Sequence, residues 1–210
     1  PPEAHNPLMR AEQKGMVEEW PDVTGQPALD LPCGTGRYAR LLAQSGARHV
    51  FATDFSAVML RQVSVGAPIR ADMMQLPFVD GAFDVVICGL ALGHVSDLRD
   101  WVGEVARVLK QGGMLLYSDF HPDAPRAGLI RSFKDERRRT FTLPHCCHDL
   151  SDQRETLQAS NLTVEVVREL RVGVDCREAF PGSQDFYEQW HGLPLVSIVR
   201  ARKRSACGAV

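Results

Sequence analysis

The fold this sequence predicts is a doubly wound α/β domain in three α/β/α layers, built on a seven-stranded, mostly parallel sheet. Three observations carry it. Apolar runs alternate with helical patterns through most of the chain, which marks βαβ units and a sheet covered on both faces. The first of these runs leads into a glycine-rich turn, "LDLPCGTGRY". The last two, 162–170 and 193–202, alternate apolar with polar and have no helix between them long enough for a parallel crossover, so they are expected to pair antiparallel.

In order, "ALDLP" (28–32) reads as a buried strand and "GRYARLLAQSG" (36–46) as a helix ending at Gly46. "HVFATD" (49–54) is the second strand. Ser56 can cap the helix "AVMLRQVSV", and "PIRAD" (68–72) is a short third strand. "FDVVICGL" (83–90) is the fourth, followed by an amphipathic helix over 98–110 that Gly112-Gly113 is expected to stop. "MLLYSDF" (114–120) is the fifth. Residues 121–148 break the rhythm, being rich in His, Arg and Pro, with a charged helical piece "SFKDERRRTF". Ser151 then caps "DQRETLQAS", and a polar loop separates the two closing strands.

A chain of 210 residues, 44% of them hydrophobic, can bury one substantial core. Residues 1–204 therefore read as one domain, with 1–24 as an N-terminal helical flap, 121–150 as an excursion over substrate and 205–210 as a disordered tail. A net charge of −2 gives no general attraction to nucleic acid or an anionic membrane. No run of about 18 apolar residues occurs, and "PPEAHNPLMR" lacks a signal-peptide layout, so a soluble, cytoplasmic protein is expected. Because the sequence begins with Pro, its natural start is expected to be missing or processed. The six cysteines show no framework spacing and read as reduced thiols.

In open α/β sheets, ligands bind beyond the carboxyl ends of the strands, near the point where strand order reverses. Here those ends carry Asp30-Leu-Pro-Cys-Gly-Thr-Gly, Asp54-Phe-Ser, Asp72-Met-Met, Cys88-Gly-Leu and Asp119-Phe-His. Any one of these acids alone reads equally as a turn or a helix cap. "GTGRYA" formally fits the dinucleotide fingerprint, with Asp54 placed where a ribose-binding acid is expected. Asp30 argues otherwise: a carboxylate at the edge of the loop repels a pyrophosphate but suits a nucleoside carrying an ammonium and a sulfonium.

"LDLPCGTGRY", "ATDFSAVML", "RADMMQLPFVDGAFDVVICGLALGHV" and "RVLKQGGMLLYSDFHP" resemble, in order, the motifs of class I S-adenosylmethionine-dependent methyltransferases. "AHNPLM", "GLALGHV" and "SDFHP" are most similar to the small-molecule group that includes the biotin-synthesis malonyl-thioester O-methyltransferases. The resemblance implies a Rossmann-like methyltransferase fold, with S-adenosylmethionine as cofactor and S-adenosylhomocysteine as product. It puts Gly34, Thr35 and Gly36 against the methionine part, Asp30 on the ammonium, Asp54 on the ribose hydroxyls and Asp72 on the adenine amino group. Phe55, Met59 and Met73 would wall the purine, with Pro32, Cys33, Ser56, Met74, Cys88 and Gly89 alongside. Pro32 departs from the family pattern of a small residue; its ring fixes the strand exit at the cost of one backbone N–H.

A carboxylate acceptor needs no base, whereas a hydroxyl usually does, and His suits that role near neutral pH. His94 and His121 follow the fourth and fifth strands and are the candidates, with a hydrogen-bonded structural histidine as the alternative for each. His5 would join the flap. "PHCCHD" (144–149) spaces its ligands too tightly for a tetrahedral metal, so no metal is expected and His145 is placed in the acceptor pocket. Arg131 and Arg137 belong to a locally basic stretch that is either a solvated face or a grip on an anionic or carrier-linked acceptor. The chemistry expected is methylation of a small molecule at a carboxyl or hydroxyl oxygen. The alternatives are a non-catalytic cofactor-binding protein and an NAD-linked oxidoreductase. Nucleic acid is not an expected substrate: "CGLA" stands where base methyltransferases carry an Asn/Asp-Pro-Pro-aromatic motif.

Overall fold

Between β1 (Pro27–Asp30) and β4 (Phe83–Gly89) the sheet changes its direction of growth, and that junction fixes where a ligand can bind. The computed structural model describes residues 7–134, 137, 139–142, 144–173 and 184–205. From β1 the chain builds outward through β2 (His49–Asp54) and β3 (Ala67–Arg70), then returns to place β4 and β5 (Leu109–Phe120) on the other side. These five strands are parallel. After a separate hairpin of β6 (Ser132–Lys134) and β7 (Thr140–Thr142), the chain adds β8 (Leu162–Arg171) and β9 (Pro194–Lys203). The strand order is β3-β2-β1-β4-β5-β9-β8, with β9 antiparallel to both its neighbours. This is the seven-stranded, antiparallel-closed sheet the sequence predicts.

Successive side chains of a strand point to opposite faces, and β4 shows how the two outer layers are filled. Val85 and Ile87 join a core with α1 (Pro7–Glu18) and α2 (Arg37–Gln44), through Met16, Tyr38 and Leu42. Val86 and Cys88 join the opposite core with α4 (Leu98–Val108) and α6 (Leu150–Ala159), through Trp101, Val105 and Leu157. In α4 the buried Leu98, Trp101, Val102, Val105 and Val108 form one helical stripe, and Asp97 caps its start by accepting from the Arg99 amide at 2.8 Å. α1 lies so close to the sheet that a side chain at Gly15 would meet Ile198 at 2.5 Å. Among the described residues no helix is long and apolar enough to cross a membrane.

Several local expectations are corrected. The helix begun by Ser56 is α3 (Ala57–Leu60) and ends well short of Val65; Val63, part of a β-branched run that disfavours helix, packs toward Gly36 instead. α4 ends at Val108, before Gly112-Gly113. Those glycines lie inside β5, where the pairing with β4 is irregular between Phe83 and Val85 and a side chain at Gly113 would meet Lys110 O at 2.9 Å. The charged 132–141 stretch supplies both strands of the hairpin, with Phe133 opposite Phe141. α6 starts at Leu150 with Asp149, not Ser151, at the cap position. Within the excursion the short α5 (Asp123–Arg126) follows β5, and the last loop carries α7 (Gln184–Trp190).

Candidate functional site

A cavity of about 610 Å³ opens at the carboxyl ends of β1, β2 and β4, on the sheet's switch point and within the range of small-molecule sites. Eleven of the residues singled out in the sequence line it: Pro32, Gly34, Asp54, Phe55, Ser56, Met59, Asp72, Met73, Met74, Gly89 and His94. Gly34 has φ +54°, a left-handed conformation that favours glycine, and no atom lies within 4 Å of where its Cβ would be. The loop's backbone is therefore open to a ligand. Gly36, at φ 82°, turns the chain into α2, and the Leu31–Pro32 peptide is cis.

The carboxylates frame this loop. Asp54 Oδ2 accepts from the Gly34 amide and Oδ1 from the Ser56 amide, both at 2.8 Å, and each oxygen keeps a further lone pair. Asp72 Oδ1 accepts from the Met74 amide at 2.9 Å in a local turn, which holds Met73 and Met74 at the wall. Asp30 lies behind the loop, 1% exposed, with Oδ2 capping α2 through the Ala39 amide at 2.7 Å. Its Oδ1 is buried and has no hydrogen-bond partner among the described residues. Burial pushes the Asp30 carboxyl up to about 7, against the pull of the Ala39 bond and the Arg37 guanidinium. A buried carboxyl with only one oxygen paired, beside an open glycine loop, fits a ligand that brings a positive charge there.

His94, also in the cavity lining, sits on a 3-10 turn, Leu92–His94, that follows β4. Burial and then the Arg131 charge lower its pKa, and Asp54 opposes them. The segment 145–148 is strapped over this turn. The Cys146 amide donates to Gly93 O at 2.8 Å, and His148 Nε2 lies 2.8 Å from Val95 O. The His145 ring rests on Gly93, where a Cβ would come within 1.9 Å of Nδ1. His145 Nδ1 is 3.4 Å from Arg131 Nη1, and Nε2 is 3.6 Å from Asp119 Oδ2. His145 and Arg131 are thus brought together beside the turn, outside the cavity wall.

His121 is not brought to the cavity. Its Nδ1 accepts from the Asp123 amide at 3.2 Å, and its Nε2 lies 3.6 Å from Glu169 of β8. Cys33 and Cys88 are buried, and burial pushes both thiols up, which makes them packing groups rather than nucleophiles. Thr35 lies in the glycine loop without lining the cavity, and Arg137 is exposed in the turn between β6 and β7. His5 lies outside the described residues.

Two groups next to the site went unread in the sequence. Glu12 of α1 is fully buried, accepts from Tyr38 Oη at 2.6 Å and from Ser118 Oγ, and pairs with Arg37 at 2.8 Å. Ser118 in turn receives the amide of Leu90, a cavity residue held at φ 55°. The available signal was helical spacing, since Leu8, Glu12 and Met16 place an acid on the buried stripe of a helix. The second group is Asp119, noted only as a strand end.

Residues 29–117 match the family model described as a methyltransferase domain. The chain is 40% identical over 116 residues to the demethylmenaquinone methyltransferase of Clavibacter sepedonicus, covering 52% of this chain and 46% of that protein. It is 29% identical over 153 residues to the malonyl-[acyl-carrier protein] O-methyltransferase of Pectobacterium atrosepticum, covering 70% and 60%. The chain thus spans about half the length of the curated relatives it matches. The crystal structure of an S-adenosylmethionine-dependent methyltransferase from Mesorhizobium loti superposes with a TM-score of 0.72 at 22% identity, over 91% of this chain and 97% of that one, which shows a shared fold.

Proposed function

We propose that this chain, whose residues 29–117 match the methyltransferase domain model, transfers a methyl group from S-adenosylmethionine to a hydroxyl or carboxyl oxygen of a small acceptor, releasing S-adenosylhomocysteine. One observation carries this reading: a single cavity joins a glycine loop, backed by a buried carboxylate with one oxygen unpaired among the described residues, to apolar walls and to His94. The acid beside the loop disfavours a pyrophosphate and hence a dinucleotide.

In this reading Asp30 faces the cofactor's ammonium, Asp54 accepts from the ribose hydroxyls with its spare lone pairs, and Asp72 accepts from the adenine amino group. Phe55, Met59 and Met73 cover the purine faces. When bound, the sulfonium supplies an electrophilic methyl group. The chain's own part is then orientation and exclusion of water, which suffice for an in-line displacement on a carboxylate. For a hydroxyl acceptor, His94 takes the proton, being held largely neutral near pH 7 by the lowering described above. Arg131 and Arg137 meet an anionic acceptor or the carrier that presents it.

The two relatives are named for a quinone and for a malonyl group on a carrier protein, so a reduced naphthoquinone and a malonyl thioester head the acceptors to try. Incubation with methyl-labelled cofactor tests the reading. Label in a base-labile ester marks a carboxyl acceptor, base-stable label released as iodomethane by hydriodic acid marks a hydroxyl, and label resistant to both lies on carbon and contradicts transfer to oxygen. Tight S-adenosylhomocysteine binding with no transfer to carboxylate, phenol or quinol pools would favour a binding protein without catalysis.

A further inference from the structure

A polar chain crosses from the excursion to the sheet directly behind His94. Guanidinium nitrogens only donate, so Arg131 Nη1, 3.4 Å from His145 Nδ1, makes that nitrogen the acceptor and leaves the ring proton on Nε2. Nε2 lies 3.6 Å from Asp119 Oδ2, an electrostatic contact longer than a hydrogen bond. Asp119 is 3% exposed, and its Oδ1 has no hydrogen-bond partner among the described residues. A buried, incompletely paired acid is costly, and here it sits under a ring pressed onto Gly93. The same strap holds both neighbours of His94, through Cys146 on Gly93 and His148 on Val95.

We propose that Asp119 and His145 are positioning residues that, with Arg131, fasten the turn carrying His94 to the end of β5. The proposal rests on the reading of this cavity as the reaction site, with His94 facing the acceptor. His145 then acts through Gly93 and takes no proton itself: its Nδ1 is occupied, and burial with the charges of Arg131, His94 and His148 pushes it down to about 4. The titratable and charged groups facing His94 are Arg131 and His145 from the excursion and Asp54 from the end of β2. Loosening the strap withdraws Arg131 and lets water reach His94, so its titration moves up toward the ordinary histidine value.

NMR titration of the His94 imidazole, identified by its loss in His94→Gln, reads this without any acceptor. Asp119→Ala and His145→Ala are expected to raise the His94 pKa by about half a unit or more, a shift that mere loss of stability does not produce. Asp119→Asn keeps the shape and an oxygen facing the Nε2 side of the ring and is expected to stay within about 0.2 unit of wild type. S-adenosylhomocysteine affinity should remain within about three-fold in all three variants. An unchanged His94 titration in both alanine variants overturns the proposal, as does a shift in Asp119→Asn equal to that in Asp119→Ala. His145 lies on the strap outside the sheet, so His145→Ala decides the matter if Asp119→Ala fails to fold. If the wild type binds no S-adenosylhomocysteine, the functional reading fails, while the titration still decides the positioning.

Discussion

The Gly34 amide donates to Asp54 Oδ2 at 2.8 Å, so one side chain joins the glycine loop after β1 to the wall after β2. Asp54→Ala removes that tie together with the cap on the Ser56 amide. It is expected to weaken S-adenosylhomocysteine binding by about 30- to 300-fold, and Asp54→Asn, which keeps one acceptor oxygen, by less. Calorimetric titration of the two variants checks the order.

Asp30 makes stability depend on pH in a defined direction. Its folded pKa, about 7, stands above its unfolded value near 3.8. The folded state therefore holds the proton more tightly, and stability present below about pH 4 is lost as pH rises toward 7, by a few kcal/mol at most. Asp30→Asn preserves the acceptor for the Ala39 amide and removes this dependence. Urea unfolding at pH 5 and pH 8 should show a larger drop for wild type than for the variant.

The same group predicts proton release on binding. An ammonium placed beside Asp30 favours its ionised form, so S-adenosylhomocysteine should expel a fraction of a proton between about pH 6 and 7. Calorimetry in two buffers of different ionisation enthalpy measures it, and Asp30→Asn should abolish it.

His94→Gln separates the two acceptor chemistries. With a hydroxyl acceptor, kcat should fall by about 10²- to 10⁴-fold while cofactor affinity holds. With a carboxylate acceptor, which needs no base, the loss should be within about ten-fold.

Gly89→Ala would bring a Cβ within 2.3 Å of Tyr38 Cε2, inside the Glu12, Arg37 and Tyr38 cluster. Overpacking there should cost about 1–3 kcal/mol in chemical unfolding.

The sheet was legible in the sequence because its strands are short apolar runs set off by Gly and Asp. β2 occupies His49–Asp54, as its alternation with the following turn implied. Glycines misled where one residue type serves two purposes: Gly112-Gly113 resembles a helix stop but belongs to an irregular strand. The 132–141 stretch is charged enough to resemble a helix, yet its Phe and Thr residues pair as strands. At the site, Asp54 was readable from its place at a strand end, and Asp72 and His94 from their places in the turns that follow β3 and β4. His121 follows the same rule and still turns toward Glu169, because position along a chain does not fix where a ring points. Glu12 reaches the site from 106 residues before Ser118, a pairing that no local pattern encodes.

The central claim is that the glycine loop, Asp30 and Asp54 form a site for a cationic methyl donor and its product. Isothermal titration of the wild-type protein with S-adenosylmethionine, S-adenosylhomocysteine and NAD tests it most directly. The account predicts saturable one-to-one binding of the first two and none of NAD. Saturable NAD binding with no heat from either sulfur nucleoside would contradict it.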